Sequence, residues 1–458
     1  MNIQDLNGKS VCILGFGKEG QSTLRALEKY APKAKITIAD KNDALEIKKY
    51  ESQLGKKYLE NLDRFDVIIK SPGIPPSLLT ANYPQLTTPT QIFFDSIADS
   101  GAIVIGVTGS KGKSTTSSLL YAILKAAGKD VDLVGNIGKP ALDVLDKAKK
   151  ETLFVMEMSS YQLMDLTVSP HIAVITSYFL EHLDYHGSEE AYKEAKKHIT
   201  KFQTKADVVF YNLFSPGTKE IAKASKGKKI KFSWQEAPLR IEETKLLGHH
   251  NLSNIAAAFA VAKFLKIPKP VAQEAIRNFE GLPHRLQMLG VHHGIEWVDD
   301  AISTTPESAI AALEALGDRV RTIILGGQDR GNDFTELGRK IAASKIEHVI
   351  LFPGSGPRIR KALEDANARV SFHEVTSMEQ AVKKCTQTDP WHGYAEHILS
   401  SLQDDEPLTS PIRHDRQGTP IVLLSTASPS FGMFKNFEEK GEAFRSNILQ
   451  KSPSTTSP

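Results

Sequence analysis

Cysteine is almost missing from this chain: Cys12 and Cys385 are the only two in 458 residues. A disulfide framework and a cysteine-rich metal centre are therefore excluded, and both thiols are expected to be free in a reducing compartment. Long apolar runs are missing too. None approaches the ~20 residues that span a bilayer, and Met1-Asn2-Ile3-Gln4-Asp5 lacks the charged-then-apolar order of a secretory leader. The expectation is a cytoplasmic protein with no membrane partner. Neither charge is in large excess. The formal net charge is +3, and no basic stripe interleaved with aromatics is present, so nucleic acid is not an expected partner. What remains, 40% apolar and 24% charged residues, is ordinary globular composition. At ~100–200 residues per domain, the length implies about three domains.

The most informative stretch is Gly106-Val107-Thr108-Gly109-Ser110-Lys111-Gly112-Lys113-Ser114-Thr115. It follows the apolar run Ala102-Ile103-Val104-Ile105 and precedes a helix-like segment, 116–127, so it reads as strand, glycine loop and helix. Glycines let backbone N–H groups close on an anion, and the helix start adds its positive dipole end. Lys113 supplies a point charge, and the Ser114 or Thr115 hydroxyl can face a magnesium ion. The spacing departs from the common P-loop, which has a glycine where this chain has Val107. Gly109 makes the turn instead.

Before it, Ser10-Val11-Cys12-Ile13-Leu14 reads as a strand and Gly15-Phe16-Gly17-Lys18-Glu19-Gly20 as a turn into a helix, 21–30. A second strand, 35–39, ends at Asp40, where an acid can hold a ribose hydroxyl. A third, 65–70, runs into Ser71-Pro72-Gly73-Ile74-Pro75-Pro76, a proline-stiffened loop at the sheet edge where such folds bind ligands. A nicotinamide oxidoreductase would use the same glycines, but would not need a phosphate cradle immediately afterwards.

After the cradle come Gly135-Asn136-Ile137-Gly138, a strand, 153–156, ending at Glu157, and another, 172–176, leading to Glu181-His182-Leu183-Asp184. Glu157 and His182, at strand C-termini on the side of the glycine loop, can converge on a cation beside the phosphates. The segment 188–202 has helical period and carries Lys193, Lys196, Lys197 and Lys201. Composition does not choose among these lysines, and a solvated face is the plain reading of each. Asn251 and Asn254 lie on one helical face, suited to pairing with a purine edge or to helix capping. Gly281-Leu282-Pro283-His284-Arg285 reads as a joint carrying a permanent cation.

The last third alternates strands and helices again, which means a doubly wound sheet. Its strands end at Asp299-Asp300, Gly326-Gly327-Gln328-Asp329-Arg330-Gly331, Pro353-Gly354-Ser355-Gly356 and Ser425-Thr426-Ala427-Ser428-Pro429-Ser430. A polar, proline-bearing stretch, 386–419, is too long for an ordinary connection and reads as an insertion or mobile loop. The tail, 451–458, has disordered composition.

These motifs in this order resemble the Mur ligases of peptidoglycan synthesis, over nearly the whole chain, and within that family the branch that adds glutamate to UDP-N-acetylmuramoyl-L-alanine. The resemblance rests on Thr108 through Thr115, Gly135 through Gly138, Glu157 through Gln162, His250-Asn251 with Asn254, Gly281 through Arg285, and Phe434 through Glu438. It implies an α/β protein of three domains: a Rossmann-like UDP-binding domain over 1–97, a central P-loop-type ATPase domain over 98–281, and a doubly wound C-terminal domain over 282–458 for ATP and the incoming amino acid. It further implies ATP and two Mg2+ ions as cofactors, UDP-N-acetylmuramoyl-L-alanine and glutamate as substrates, and a monomer.

By position, Ser114, Glu157 and His182 resemble the family's magnesium-associated residues, Lys113 its phosphate lysine and Asn136 a contact to substrate and phosphate. Lys196 falls where the family carries a carbamylated lysine able to help hold a second magnesium, and only the resemblance singles it out. Gly109, Ser110, Lys111, Gly112 and Thr115 complete the ATP cradle. Asn254, Arg285 and Asp300 match positions around adenine, phosphates and ribose. Gly15, Phe16, Asp40, Lys41, Ser71 and Gly73 match the UDP site, and Thr304, Arg330, Ser430 and Phe437 the amino-acid site. Two positions in this region depart from the D-glutamate pattern: Ile302 stands for one lysine and Arg330 for another. A relative that adds L-glutamate to the same acceptor is the nearest alternative, and a nicotinamide oxidoreductase or an inactive binding relative the more distant ones.

Overall fold

The computed structural model describes residues 1–79, 83, 85–292, 294–388 and 418–449. The expected insertion at 386–419 lies, apart from its margins, outside the described residues, and so does the tail at 451–458. The chain forms two compact units. One comprises residues 1–245 and 250–279, the other residues 246–249 and 280–458.

The first unit holds two parallel sheets. Strands β1 (Ser10–Leu14), β2 (Lys35–Asp40), β3 (Glu51–Leu54), β4 (Val67–Lys70) and β5 (Leu86–Thr87) are ordered β3-β2-β1-β4-β5. Strands β6 (Ile103–Thr108), β7 (Val131–Gly135), β8 (Leu153–Glu157), β9 (Ile172–Ile175), β10 (Val208–Asn212) and β11 (Lys228–Phe232) follow, ordered β11-β10-β9-β6-β8-β7. In each sheet, the strand that leads into a glycine loop sits where the strand order reverses: β1 between β2 and β4, β6 between β8 and β9. The loops after such a pair diverge to opposite faces and leave a crevice, which is why ligands bind there. Strand β6 has no polar side chain before Thr108 and is buried from Val104 onward, as a strand covered on both faces must be.

The second unit carries β12 (Gln287–His292), β13 (Ile295–Asp299), β14 (Val320–Gly327), β15 (His348–Gly354), β16 (Ser371–Glu374) and β17 (Ile421–Leu424), ordered β12-β13-β17-β14-β15-β16. Among the described residues, only the β12–β13 pair of this sheet is antiparallel. Side chains alternate between two cores: Ile323 and Leu325 of β14 pack into one, Ile324 into the other. The sheet is therefore covered on both faces, as the alternation of elements implied.

Helices begin earlier than their periodicity suggested. The helix after the first glycine turn spans Lys18–Tyr30 and the one after the phosphate loop Lys113–Ala126. Both start directly from glycine caps, Gly17 and Gly112. Cys12 and Cys385 are buried and form no disulfide, and burial pushes the Cys12 thiol up to about 12. Among the described residues no helix is long and apolar enough to cross a membrane.

Gly20 shows what the first turn requires. A Cβ there would fall on the Gly15 carbonyl, which β1 holds fixed, so the helix could not approach the strand. Gly73, in contrast, has open space around it. Gly20→Ala is expected to cost about 2 kcal/mol of stability by overpacking, and Gly73→Ala to stay within about 0.5 kcal/mol. Urea denaturation midpoints of the two variants check this.

Candidate active site

The phosphate loop leaves β6 at Thr108 and is held chiefly by residues just beyond β9. The Ser110 N–H donates to the Ser177 carbonyl at 3.0 Å and the Lys111 N–H to Ser177 Oγ at 2.8 Å. Thr176 and Ser177 hydroxyls donate to the Lys111 carbonyl at 2.6 and 2.9 Å. Ser110 Oγ donates to the Phe179 carbonyl at 2.8 Å and meets the Tyr192 hydroxyl at 2.9 Å. A Cβ on Gly109 would fall on Thr176 Oγ1, and one on Gly112 would fall on Asn254 Oδ1. Gly112 also has φ +85°, the left-handed region. The two glycines are thus required by close packing against β9's exit and against the helix Asn251–Phe264.

Two lysines converge on this loop. Lys113 Nζ donates to the Gly109 and Ser110 carbonyls at 2.8 and 2.9 Å, and Lys196 Nζ, from the helix Glu189–Lys201, donates to the same Gly109 carbonyl at 3.0 Å. Lys196 is 2% exposed and lies 4.8 Å from the centre of the Tyr192 ring. Burial, reinforced by the charge of Lys113, pushes its ammonium down to about 7. Its helix neighbours behave differently: Lys197 and Lys201 pair with Glu194 at the surface. Burial thereby separates Lys196 from the other lysines, which sequence composition did not do. Lys111 is exposed and pairs with Glu181 at 2.7 Å.

Glu157 ends β8 and is 1% exposed. Its Oε1 accepts from Asn136 Nδ2 at 2.8 Å, while Oε2 is buried with no hydrogen-bond partner among the described residues. An ionised carboxylate oxygen left dry is costly unless a cation completes it. Among the described residues no three His, Cys, Asp or Glu side chains cluster as a metal cage. Magnesium does not require one, because it keeps several waters and is commonly held by one or two carboxylates plus substrate phosphate. Glu157, with the Ser114 hydroxyl at the helix start and His182 beyond β9, fits that pattern. His182 has φ +59° and stands edge-on to Tyr161 and Tyr192, 5.2 and 6.2 Å between ring centres.

Asn254 does not cap its helix. Its Nδ2 donates to Asn251 Oδ1 at 2.8 Å and its Oδ1 accepts from Thr116 Oγ1 at 3.3 Å, so it braces the helix of the phosphate loop.

In the N-terminal sheet, Asp40 accepts the Phe16 N–H at 2.6 Å on one oxygen and the Asn42 N–H at 2.8 Å on the other. It therefore fixes the glycine turn, a role that spacing did not reveal. Ser71 Oγ donates to the Gly15 carbonyl at 2.7 Å, bringing the third loop beside the first. Lys41 is exposed next to Asp40.

In the second unit, Asp300, Ser430 and Arg330 follow β13, β17 and β14, which are neighbours in the sheet. Asp300 accepts from Ser303 Oγ, Ser425 Oγ and the Leu286 N–H at 2.5, 2.9 and 3.1 Å. Burial pushes its carboxyl up to about 6 against these bonds and the nearby Arg285 charge. Ser430 Oγ is buried with no hydrogen-bond partner among the described residues. Arg330 is exposed beside Phe431, its guanidinium 5.8 Å from the ring centre. Phe437 stands edge-on to His284 at 6.2 Å, and Thr304 is half-buried between Ser303 and the helix Pro306–Leu316. Two buried groups here escaped sequence reading. Lys440, 1% exposed, donates to Thr426 Oγ1 at 2.6 Å, and Asp299 pairs with His284 Nδ1 at 2.7 Å.

A parallel sheet bearing a phosphate loop, preceded in the chain by a glycine-turn α/β sheet and followed by a second doubly wound one, is the arrangement of ATP-dependent ligases that join an acid to an amine. The chain belongs to the Mur ligase family and is an ATP-dependent amide ligase. The pattern of the Mur ligase middle domain matches residues 107–243, and that of the Mur ligase glutamate ligase domain residues 284–390. UDP-N-acetylmuramoylalanine–D-glutamate ligase of Streptococcus agalactiae is 32% identical over 96% of this chain and 97% of its own. UDP-N-acetylmuramoyl-L-alanine–L-glutamate ligase of a Micromonospora species is also 32% identical, over 97% of each chain. MurF ligase of Thermotoga maritima, solved with ADP, has the same fold: TM-score 0.55 at 15% identity, over 98% of this chain and 96% of that one.

The His284–Asp299 pair gives a pH test. Its imidazole is raised, chiefly by the Asp299 hydrogen bond, so its stabilisation is present below the ordinary imidazole range and is lost as pH rises through the raised value. Asp300, raised from 3.8 to about 6, also favours the protonated folded form, but that loss is largely complete once pH exceeds 6. Urea midpoints above pH 6 are therefore expected to fall in the wild type and to fall less in His284→Asn.

Proposed function

We propose that the protein adds D-glutamate to the alanyl carboxylate of UDP-N-acetylmuramoyl-L-alanine, in the cytoplasm and as a monomer, giving ADP and phosphate. The observation that carries this reading is the phosphate loop itself. Two lysines converge on the Gly109 carbonyl, and the β8 carboxylate, on the neighbouring strand, has an oxygen with no partner among the described residues.

A carboxylate and an ammonium ion do not condense at neutral pH, because the carboxylate is a poor electrophile. ATP supplies the activation. The acceptor carboxylate oxygen attacks the γ-phosphorus, the bond to the β-phosphate oxygen breaks, and an acyl phosphate and ADP result. The deprotonated glutamate amine then adds to the acyl carbon, the C–O bond breaks, and phosphate leaves as the amide forms. The first step crowds anions together, at about 4 kcal/mol per pair at ~4 Å and an effective dielectric near 20. Lys113 offsets that repulsion from inside the loop, and Arg285 is assigned to the phosphates by the family resemblance. Gly109, Gly112 and Thr115 offer backbone N–H groups to the phosphates, while Ser110 and Lys111, whose own N–H groups bond Ser177, give the loop its shape. Magnesium, when bound, would neutralise phosphate charge and polarise the γ-phosphoryl group. Ser114, Glu157 and His182 are the residues that would hold it.

Lys196 has the chemistry for carbamylation. With its ammonium pushed down to about 7, a large fraction is neutral amine near neutral pH, and the neutral amine is what attacks carbon dioxide. The carbamate would replace a second cation at Gly109 with anionic oxygens for a second magnesium. Gly15, Phe16, Asp40, Lys41, Ser71 and Gly73 are assigned to the UDP moiety, Asn136 to the acceptor, and Asn254 and Asp300 to adenosine. The domains proposed with this reading are 1–97, 98–281 and 282–458.

Thr304, Arg330, Ser430 and Phe437 are assigned to glutamate, the unpartnered Ser430 hydroxyl receiving its side-chain carboxylate. L-glutamate is the second reading. Arg330 offers a bidentate fork where the D-glutamate pattern has a point charge, and Ile302 removes another cation. Phosphate release with acceptor, ATP and either enantiomer decides between them. The expected result is turnover with D-glutamate and little with L-glutamate, and the reverse preference overturns the choice.

Lys113→Ala and Glu157→Ala are each expected to reduce phosphate release by at least ~100-fold, the scale of losing one oxyanion-type donor. Lys196→Ala is expected to lose activity and regain part of it with an added short carboxylic acid, which returns the missing anionic oxygens. No regain would leave Lys196 an unmodified amine.

A further inference from the structure

The loop 71–76 after β4 is held by Lys70 at its own strand end and by Tyr185 from beyond its sheet. Lys70, 1% exposed at the end of β4, donates Nζ to the Ile74 carbonyl at 3.2 Å and pairs with Asp165 at 2.8 Å. Tyr185 Oη lies 2.7 Å from the Pro72 carbonyl and 3.1 Å from the Ile74 carbonyl. Because Ile74 already has Lys70, the single phenol proton goes to the shorter bond, and Tyr185 is the donor that satisfies Pro72.

The same tyrosine is built into the other side of the site. It lies three residues after His182 and its ring stacks on Tyr161, 3.9 Å between centres with a tilt of 32°. Tyr161 follows the Glu157–Ser160 segment and stands edge-on to His182 at 5.2 Å. The adjacent His186 Nε2 bonds Ser160 Oγ at 2.9 Å. One side chain therefore fastens the loop that Ser71 ties to the first glycine turn, and packs on the segments that carry Glu157 and His182.

From this geometry we infer that Tyr185 is a positioning residue for the acceptor nucleotide: its hydroxyl sets the 71–76 loop at the distance from Glu157 and His182 that presents the acceptor carboxylate for transfer. This rests on the ligase reading above. The hydroxyl acts through the Pro72 carbonyl, and the ring through Tyr161. Loss of the hydroxyl alone loosens the loop while leaving the aromatic stack and the Lys70–Asp165 pair in place.

Tyr185→Phe separates these contributions. Its KM for UDP-N-acetylmuramoyl-L-alanine is expected to rise about tenfold, the scale of one hydrogen bond or a small misplacement. The KM values for ATP and glutamate should stay within about twofold of wild type, with an unchanged thermal midpoint. Tyr185→Leu, which also removes the stack, is expected to lower kcat in addition. An acceptor KM that is unchanged in Tyr185→Phe overturns the assignment. So does a parallel rise in all three KM values with a lowered midpoint, which is what a merely structural tyrosine gives. A wild-type protein that makes no ADP from the three substrates sinks the ligase reading and takes this assignment with it, whereas an active wild type with Tyr185→Phe kinetics like its own sinks this assignment alone.

Discussion

The Gly109 carbonyl receives two lysine ammonium groups, and much of the centre is arranged around that conjunction. Burial, with the Lys113 charge adding to it, pushes the Lys196 ammonium down to about 7. The repulsion is also what makes the loop receptive to an anion, since a bound phosphate relieves it. At the end of the neighbouring strand, Glu157 presents a carboxylate oxygen with no partner among the described residues, which makes it receptive to a cation. In the proposed ligase reading, a metal–phosphate pair would answer both needs at once. The site is prepared by leaving polar groups incompletely satisfied, at a cost in stability that packing elsewhere in the unit offsets.

Holding such a loop open needs support from outside it. The glycine that a common P-loop would place at Val107 is absent, and the turn is made by Gly109 wedged against Thr176 and Ser177. The segment beyond β9 thereby serves the loop of β6, and the same segment continues through Tyr178, His182, Tyr185 and Tyr192 as a run of ring contacts. Strand β9 is β6's neighbour at the switch point, so the supporting residues come from the adjacent strand end.

The α/β class, the placement of both glycine loops and most strands in apolar runs were legible in the sequence, because parallel strands buried on two faces leave an unmistakable apolar run bounded by turn residues. Strand β11, Lys228–Phe232, was not legible. Its sequence Lys-Lys-Ile-Lys-Phe is charged because it is an edge strand with exposed side chains. Lys113 and Glu157 were nominated by their position in motifs, and Asp300 by the resemblance. Lys196 needed either the resemblance or the observation that it alone on its helix turns a charged head inward, something the 3.6-residue period cannot announce. Asp40's bond to Phe16 and Lys440's burial depend on contacts across many residues, and no local pattern encodes them.

The packing of Asn254 against Gly112 has a consequence for how such sequences diverge. With Asn254 Oδ1 where a side chain at 112 would begin, neither position is at liberty to drift by itself. A shorter residue at 254 would open room at 112, yet the left-handed backbone there would still disfavour any replacement, and Thr116 would lose its amide. The two helices are consequently coupled at this point: a change at either position would require remodelling of the other or forfeit the loop.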